Sequence, residues 1–278
     1  MEIKRFIKLA LEEDLGEGDH TSLSTISEHQ EGKANLLVKD DGVISGLNVA
    51  KAIFKEVDEN LKFTCTSKDG EEVHSGQILF HVEGKIRSIL LAERLVLNCM
   101  QRMSGIATTT KKYVDAIAET NAKVMDTRKT TPLLRFLEKE AVKTGGGLNH
   151  RFGLYDMILI KDNHVDSAGG IHAALENAKK YLTEKNISIP IEIETRNLIE
   201  VKEAVDSGIP DRIMFDNFSP ELIQQAVKLV NGRTKTEASG GINLDNIRNY
   251  ALAGIDYISV GALTHSVKSL DLSLKIVK

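Results

Sequence analysis

The sequence predicts an α/β protein whose second half is a parallel sheet closing into a barrel. From about Lys123 six short apolar runs each end in polar residues: KVMDTRK, MILIKDNH, IPIEIETR, RIMFDNF, KTEASGG and DYISVGA. Helix-like patterns such as NLIEVKEAVDSG and SPELIQQAVKLVNG lie between most of them. The last three strand ends, near Asp216, Ser239 and Gly261, recur roughly every 22 residues, the length of a strand, a loop and a short helix. Right-handed crossovers and this many units favour a closed barrel over an open sheet.

The first half is mixed. MEIKRFIKLALEEDL reads as an amphipathic helix with Ile3, Phe6, Ile7 and Ala10 on one face. EDLGEGDHTS reads as a turn-rich loop, and KANLLVKDDGVISG as strand, Asp-Gly turn and strand. LNVAKAIFKEVD is helical, and LKFTCTS, DGEEV and QILFHVEG are strands and turns that can pair antiparallel. A long helical region, from about Ile86 to Ala118, is expected to break near Gly105, because glycine weakens a helix interior.

Composition narrows the function. The 278 residues carry a formal net charge of −4 with a pI near 6.1, and only 5% are aromatic with no Trp, which disfavours nucleic acid as a partner. Cys65 and Cys99 lack metal spacing and read as reduced thiols. No signal-peptide pattern and no apolar run of about 18 residues is visible, so no membrane partner and a cytosolic protein are expected.

In a parallel βα barrel the active site lies at the carboxyl ends of the strands, where these polar tails fall. They bring Arg128 and Lys129 from the first run, His150 and Arg151 from the segment before MILI, and Lys161 after it. They also bring Glu194, Asp216, then Ser239, Gly240 and Gly241, and finally Gly261 and His265. Two arginines and two lysines suit a ligand with several carboxylates or a phosphate chain, since a guanidinium binds carboxylate through two parallel hydrogen bonds. The SGGI and VGA loops suit a phosphate, with a helix starting near Asn243 aiming its positive end there. The TGGG at Thr144–Gly147 is a weak phosphate-loop signal. Glu194 and Asp216 can act as acid and base, hold a divalent cation, or bind sugar hydroxyls. Glu192 competes with Glu194, because the two share a strand face. His150 and His164 have no third ligand at metal spacing, so zinc is not expected, and His164 reads as structural.

The stretches EDLGEGDHTS, AERLVLNCMQRMSGIAT, DTRKTTPLLRFLEKEAVKTGGGLNHRFGLYDMILIKDNH, MFDNF, EASGGI and YISVGALTHS together resemble the quinolinate phosphoribosyltransferases. The resemblance implies an N-terminal α/β sandwich domain (1–105, joined by 267–278) and a seven-stranded, incomplete TIM-like α/β barrel (106–266), the seventh strand near EAVKTGG. It implies transfer of phosphoribosyl from phosphoribosyl pyrophosphate to quinolinate, giving nicotinate mononucleotide, pyrophosphate and CO2 in NAD synthesis. It also implies Mg2+, held mainly through substrate with Glu194 and Asp216 as candidate ligands, and homodimers or hexamers with shared active sites. By motif, Arg94, Arg128 and Arg151 with His150 resemble the quinolinate site, Arg94 reaching across the dimer. Lys129 and Lys161 resemble the lysines at the pyrophosphate and the reacting centre, Lys161 also touching quinolinate. Glu194 and Asp216 resemble the ribose-side acids, and Ser239, Gly240, Gly241, Gly261 and His265 the 5′-phosphate site. After Glu194 the chain reads TRN where many relatives differ, so the choice between Glu192 and Glu194 stays open. A related phosphoribosyltransferase or a molybdenum-associated paralogue, an aldolase with Lys161 as its Schiff-base lysine, and a non-catalytic nucleotide binder are the competing readings.

Overall fold

The computed structural model describes residues 2–277. In chain order the strands are β1 (Glu31–Val38), β2 (Gly42–Val43), β3 (Lys62–Cys65), β4 (Glu72–Val73), β5 (Ile78–Lys85), β6 (Lys123–Met125), β7 (Ile158–Ile160), β8 (Ile191–Thr195), β9 (Arg212–Asp216), β10 (Lys235–Ser239), β11 (Tyr257–Ser259) and β12 (Leu272–Val277). The chain divides into two compact units, one of Met1–Lys111, Thr131–Gly146 and Ser266–Lys278, the other of Lys112–Thr130 and Gly147–His265. No helix among the described residues is long and apolar enough to cross a membrane.

The first unit is built on an antiparallel sheet of order β12-β1-β5-β3. Strand alternation sets its core: Ala34, Leu36 and Val38 of β1, Val82 of β5, and Leu272 and Leu274 of β12 are all buried. The helix Leu47–Val57 buries Ala50, Ile53 and Phe54, and Phe54 meets Phe80 edge to face at 5.9 Å. Two sequence expectations fail here. KANLLVKDDGVISG is not a hairpin: β1 pairs with β5 and β12, while β2 pairs with β4. The long strand's apolar face finds better partners in β5 and β12 than in two residues across a tight turn. Within EDLGEGDHTS, a short helix His20–Thr25 forms, because the Asp19 carboxylate accepts from the Ser22 N–H at 3.0 Å and caps it.

The region from Ile86 forms one unbroken helix, Ile86–Ala116, without a break at Gly105. Glycine is there for space: a Cβ on Gly105 would stand 2.3 Å from the Lys268 carbonyl oxygen. Close approach of two backbones outweighs the modest propensity loss.

The second unit holds the six runs predicted from sequence as a parallel sheet of order β6-β11-β10-β9-β8-β7. One face carries the buried apolar residues Ile160, Ile193, Ile213, Phe215, Ala238 and Ile258. The other, by alternation, carries Lys161, Glu192, Glu194, Arg212, Asp216, Glu237, Ser239 and Ser259. EAVKTGG is not a strand. It ends the helix Arg135–Thr144, whose buried Leu137, Ala141 and Val142 follow helical spacing, and whose residues belong to the first unit. Leu148, just beyond, bridges Met125 of β6 in parallel.

Substituting Gly105→Ala is expected to destabilise the protein by about 2 kcal/mol, since neither backbone can yield easily. A urea melt of the two proteins measures this, and equal midpoints would show that the contact is not tight.

Candidate active site

The carboxyl ends of the parallel strands open on a cavity of about 650 Å³. Of the residues singled out from sequence, twelve line it: Arg128, Lys129, His150, Arg151, Lys161, Glu194, Asp216, Ser239, Gly240, Gly241, Gly261 and His265. Arg94 does not. It is exposed on the long helix and lines a separate cavity of the first unit, beside Phe6, Leu95 and Leu133.

Each cation is placed by its local backbone. Arg128 and Lys129 follow β6, where the Lys129 N–H donates to Thr127 Oγ1 at 3.0 Å. The buried Thr264 hydroxyl donates to the Lys129 carbonyl at 2.8 Å, tying the loop after β6 to the one after β11. Arg151 opens a turn closed by Asp156, whose carboxylate accepts from the N–H groups of Phe152 and Gly153 at 2.6 and 2.8 Å. Its guanidinium donates to the Met157 carbonyl at 3.3 Å. Burial and the neighbouring Arg128 charge hold the Arg151 pKa below the usual guanidinium value, the signature of two like charges kept together.

Lys161 leaves β7 and reaches the Glu194 carboxylate at 2.8 Å. Glu194 is therefore the acid at the cavity wall, while Glu192 lies deeper on the same face, fully buried and off the lining. Alternation alone could not separate these two; depth along the strand does. His164 accepts from the Lys161 N–H through Nδ1 at 3.0 Å and so caps the helix Asp162–Ala168, the structural role expected for it. Asp216 is half-buried and accepts from Asn217 Nδ2 at 2.7 Å.

The glycines at the far end are fixed by space and backbone. Gly240 and Gly241 have φ of +99° and +62°, and a Cβ on Gly240 would fall 2.1 Å from Asn217 Oδ1. A Cβ on Gly261 would press on His265 at 3.0 Å and Lys129 at 3.1 Å. The helix expected from Asn243 begins only at Ile247, because Asn246 folds back to accept from the Asn243 N–H at 2.8 Å. A turn thus presents main-chain groups at this end where a helix terminus was expected.

The sequence reading missed Glu237, Arg212 and their grouping with His150 and Glu192 at the floor. At the base of the cavity, which His150 and Glu237 line, His150 Nε2 stands 3.0 Å from Glu192 Oε2 and 3.5 Å from Glu237 Oε2. Arg212 Nη1 donates to Glu237 at 2.8 Å and lies 3.8 Å from Glu192, with its guanidinium over the Tyr257 ring at 4.5 Å. Acids at the inward positions of IEIET and KTEAS were the visible signal, together with the arginine opening RIMFD. His150, Glu192 and Glu237 present ligand atoms within 4.8 Å of one another, so the fold supplies what sequence spacing did not. They do not suit a cation, because Arg212 and one bound proton together already offset the two carboxylate charges.

The cluster instead holds a proton. Burial alone would lower the His150 pKa, but Glu192 and Glu237 outweigh it and raise it to about 9. Burial and the Glu237 charge raise Glu192 to about 7. With Arg212 as the fixed cation, two carboxylates keep one further proton, shared between Glu192 and His150, into the neutral range. Both groups bind protons more tightly folded than unfolded. Their stabilisation is complete below their unfolded values and is lost as pH rises toward 7 for Glu192 and through about 9 for His150. We expect unfolding free energy to fall on the order of 3 kcal/mol between pH 6.5 and 9.5, and by much less in Glu237→Gln. Urea melts across that range measure it; a flat or rising wild-type profile would contradict the assignment.

The family model described as "Quinolinate phosphoribosyl transferase, C-terminal domain" matches residues 106–275, and its N-terminal counterpart matches residues 19–104. The chain is 46% identical over 290 residues to "Quinolinate phosphoribosyltransferase [decarboxylating] 1b" of Nicotiana tabacum, covering 99% of this chain and 82% of that one. It is 43% identical over 276 residues to the "Probable nicotinate-nucleotide pyrophosphorylase [carboxylating]" of Bacillus subtilis, covering 99% and 94%. Its fold superposes on the crystal structure of NadC from Streptococcus pyogenes with a TM-score of 0.94 at 40% identity, covering 99% and 97% of the two chains. Matched in both halves and nearly end to end, the chain belongs to the quinolinate phosphoribosyltransferase family.

Proposed function

We propose that the cavity at the parallel strand ends is where a pyridine dicarboxylate meets an activated ribose phosphate. The chain is a nicotinate-nucleotide pyrophosphorylase (carboxylating), a quinolinate phosphoribosyltransferase that makes nicotinate mononucleotide in NAD biosynthesis. The observation that carries the site assignment is the convergence of Arg128, Lys129, Arg151 and Lys161 on one cavity whose far wall is the Gly240–Gly241 turn.

Arg128 and Arg151 take the quinolinate carboxylates in bidentate hydrogen bonds, and Arg94 of a second copy completes the clamp. In this reading the exposed Arg94, at the rim of an apolar cavity, is covered in a homodimer. Ser239, Gly240 and Gly241 offer hydroxyl and main-chain N–H groups to the 5′-phosphate, with Gly261 and His265 beside them. The C1–O bond of the ribose breaks, and the electron pair leaves with pyrophosphate, whose charge faces Lys129 and Lys161. Glu194 and Asp216 stabilise the cationic sugar; preorganised charge of this sort is often the largest catalytic term. The pyridine nitrogen then bonds to C1. The ring, now cationic, favours breaking of the bond to the 2-carboxylate: CO2 leaves, the bonding pair stays on C2, where the adjacent ring cation stabilises it, and C2 takes up a proton from solvent. The clamp contributes by holding that nitrogen in line, an effect worth up to about 7–11 kcal/mol.

Carboxylate oxygens of Glu194 and Asp216 on the cavity wall suit a hard divalent cation, and Mg2+, when bound with the substrate, neutralises pyrophosphate charge. We further propose that the sheet closes as a barrel through the segment at Leu148, which already bridges β6, and that the two compact units correspond to a sandwich domain and a barrel domain.

Incubating the protein with Mg2+, quinolinate and phosphoribosyl pyrophosphate should yield nicotinate mononucleotide, and nicotinic acid in place of quinolinate should not. Arg128→Ala should lower kcat/KM for quinolinate by about 100-fold, the usual consequence of truncating one side of a charged pair. A variant with unimpaired turnover would remove Arg128 from the clamp. Gly240→Ala, whose methyl would collide with Asn217, should raise KM for phosphoribosyl pyrophosphate several-fold while leaving KM for quinolinate within about twofold.

A further inference from the structure

Lys161 is aimed by an acid, and Lys129 is not. The Lys161 ammonium is held by Glu194 at 2.8 Å, whereas among the described residues the exposed Lys129 makes no ion pair. A lysine side chain is a flexible four-carbon stem with a strongly hydrated charge at its tip. Each of its rotamers puts that charge in a different place. A cation that is to meet charge developing in a reaction works best when it is placed beforehand. At Lys129 the placing has to come from the main chain and the stem.

Both are held. The Lys129 N–H donates to the Thr127 hydroxyl at 3.0 Å, and the Lys129 carbonyl accepts from the Thr264 hydroxyl at 2.8 Å. Thr264 is fully buried. Its hydroxyl also lies 3.3 Å from the Gly261 carbonyl. A hydroxyl has one proton to donate, however, and the Gly261 carbonyl already accepts from the main-chain N–H groups of Thr264 and His265 at 3.1 and 3.2 Å. The proton therefore goes to the nearer carbonyl, that of Lys129. The stem is the third constraint. A Cβ on Gly261 would lie 3.1 Å from Lys129 Cδ, so the stem crosses Gly261 at the spot a side chain would fill. One short segment, Gly261 with the helix Ala262–His265, thus supplies both the bed under the stem and the hydroxyl on the carbonyl. It follows β11, and β11 pairs in parallel with β6, the strand that leads to Lys129. Strand pairing sets the two loops side by side.

We propose that Thr264 is a positioning residue for Lys129. Its buried hydroxyl fixes the Lys129 peptide, with Thr127 holding the other side, so that the stem runs over Gly261 and the ammonium faces the departing pyrophosphate. This rests on the assignment of Lys129 to pyrophosphate above, and it goes further by naming what aims that lysine. Thr264 makes no contact with substrate in this arrangement. Its shape is not what matters: valine has nearly the same shape and lacks the donor, while serine keeps the donor.

The test is steady-state kinetics on the full chain, with wild-type turnover of quinolinate established first. Thr264→Val should lower kcat/KM for phosphoribosyl pyrophosphate by about tenfold. KM for quinolinate should stay within about twofold, because the lost bond lies on the carboxyl side of Lys129 and Arg128 lies on its amino side. Thr264→Ser should remain within about threefold of wild type, since it retains the hydroxyl. Lys129→Ala should lower kcat/KM for phosphoribosyl pyrophosphate by about 100-fold. Because Thr264 acts through Lys129, the double variant Thr264→Val with Lys129→Ala should match Lys129→Ala within about twofold. Additive losses, an equal loss in Thr264→Ser, or a matching rise in KM for quinolinate overturns the proposal and leaves the reaction assignment intact. A wild-type protein that does not turn over quinolinate would instead defeat the reaction assignment. Should Thr264→Val not fold, Thr127→Val, which strips the acceptor from the Lys129 N–H, goes through the same cycle with Lys129→Ala. A loss that vanishes in the Lys129→Ala background supports the clamp, and one that persists there sinks it.

Discussion

Charge carried inside a sheet must be answered by charge, and the second unit is organised around that requirement. A parallel strand buried on one face against helices sends every other side chain to the opposite face. Here that opposite face carries lysine, arginine, glutamate and aspartate. The cations at the strand ends stand close together, and burial, with Arg128 beside it, holds the Arg151 pKa below its usual value. Glu194 answers Lys161 at the wall, and the paired acids of the floor answer Arg212 and His150 beneath.

The same balance explains why the site has two levels. The upper level is half-exposed, made of side chains that reach solvent and can exchange water for ligand. The lower one is sealed, its acids fully out of contact with water. Electrostatic interactions grow as water is excluded, so the sealed level fixes geometry more firmly than the upper level could fix itself. Arg212, stacked on Tyr257 and bonded to Glu237, closes that level from the amino-terminal side of the strands.

Much of this was readable from the sequence, and what escaped has physical causes. The six strands announced themselves because each apolar run ended in polar residues, and the cations and glycines of the mouth lay in those endings. Glu237 and its place beside Glu192 did not, since both acids interrupt apolar runs two positions earlier and look like ordinary solvent-facing alternation. Their partner Arg212 is at the start of its strand, where a salt bridge to anything would be unremarkable. The choice between Glu192 and Glu194 needed depth, which a period of two cannot supply. Helix and hairpin errors came from local rules overruled at long range: Gly105 is dictated by Lys268, and β1 pairs with β12 across most of the chain. The strand placed near EAVKTGG came from the resemblance and not from the residues, whose spacing is helical.

The pairing of β1 with β12 has a further consequence, for how the protein is made. A ribosome emits β1 long before β12, with β6 to β11 between them, so the sheet of the first unit lacks an edge strand while the parallel strands are being made. Such long-range closure is slow and leaves a strand edge open to other chains. The nascent polypeptide can complete its parallel strands, β6 to β11, before it can complete the unit that it began first.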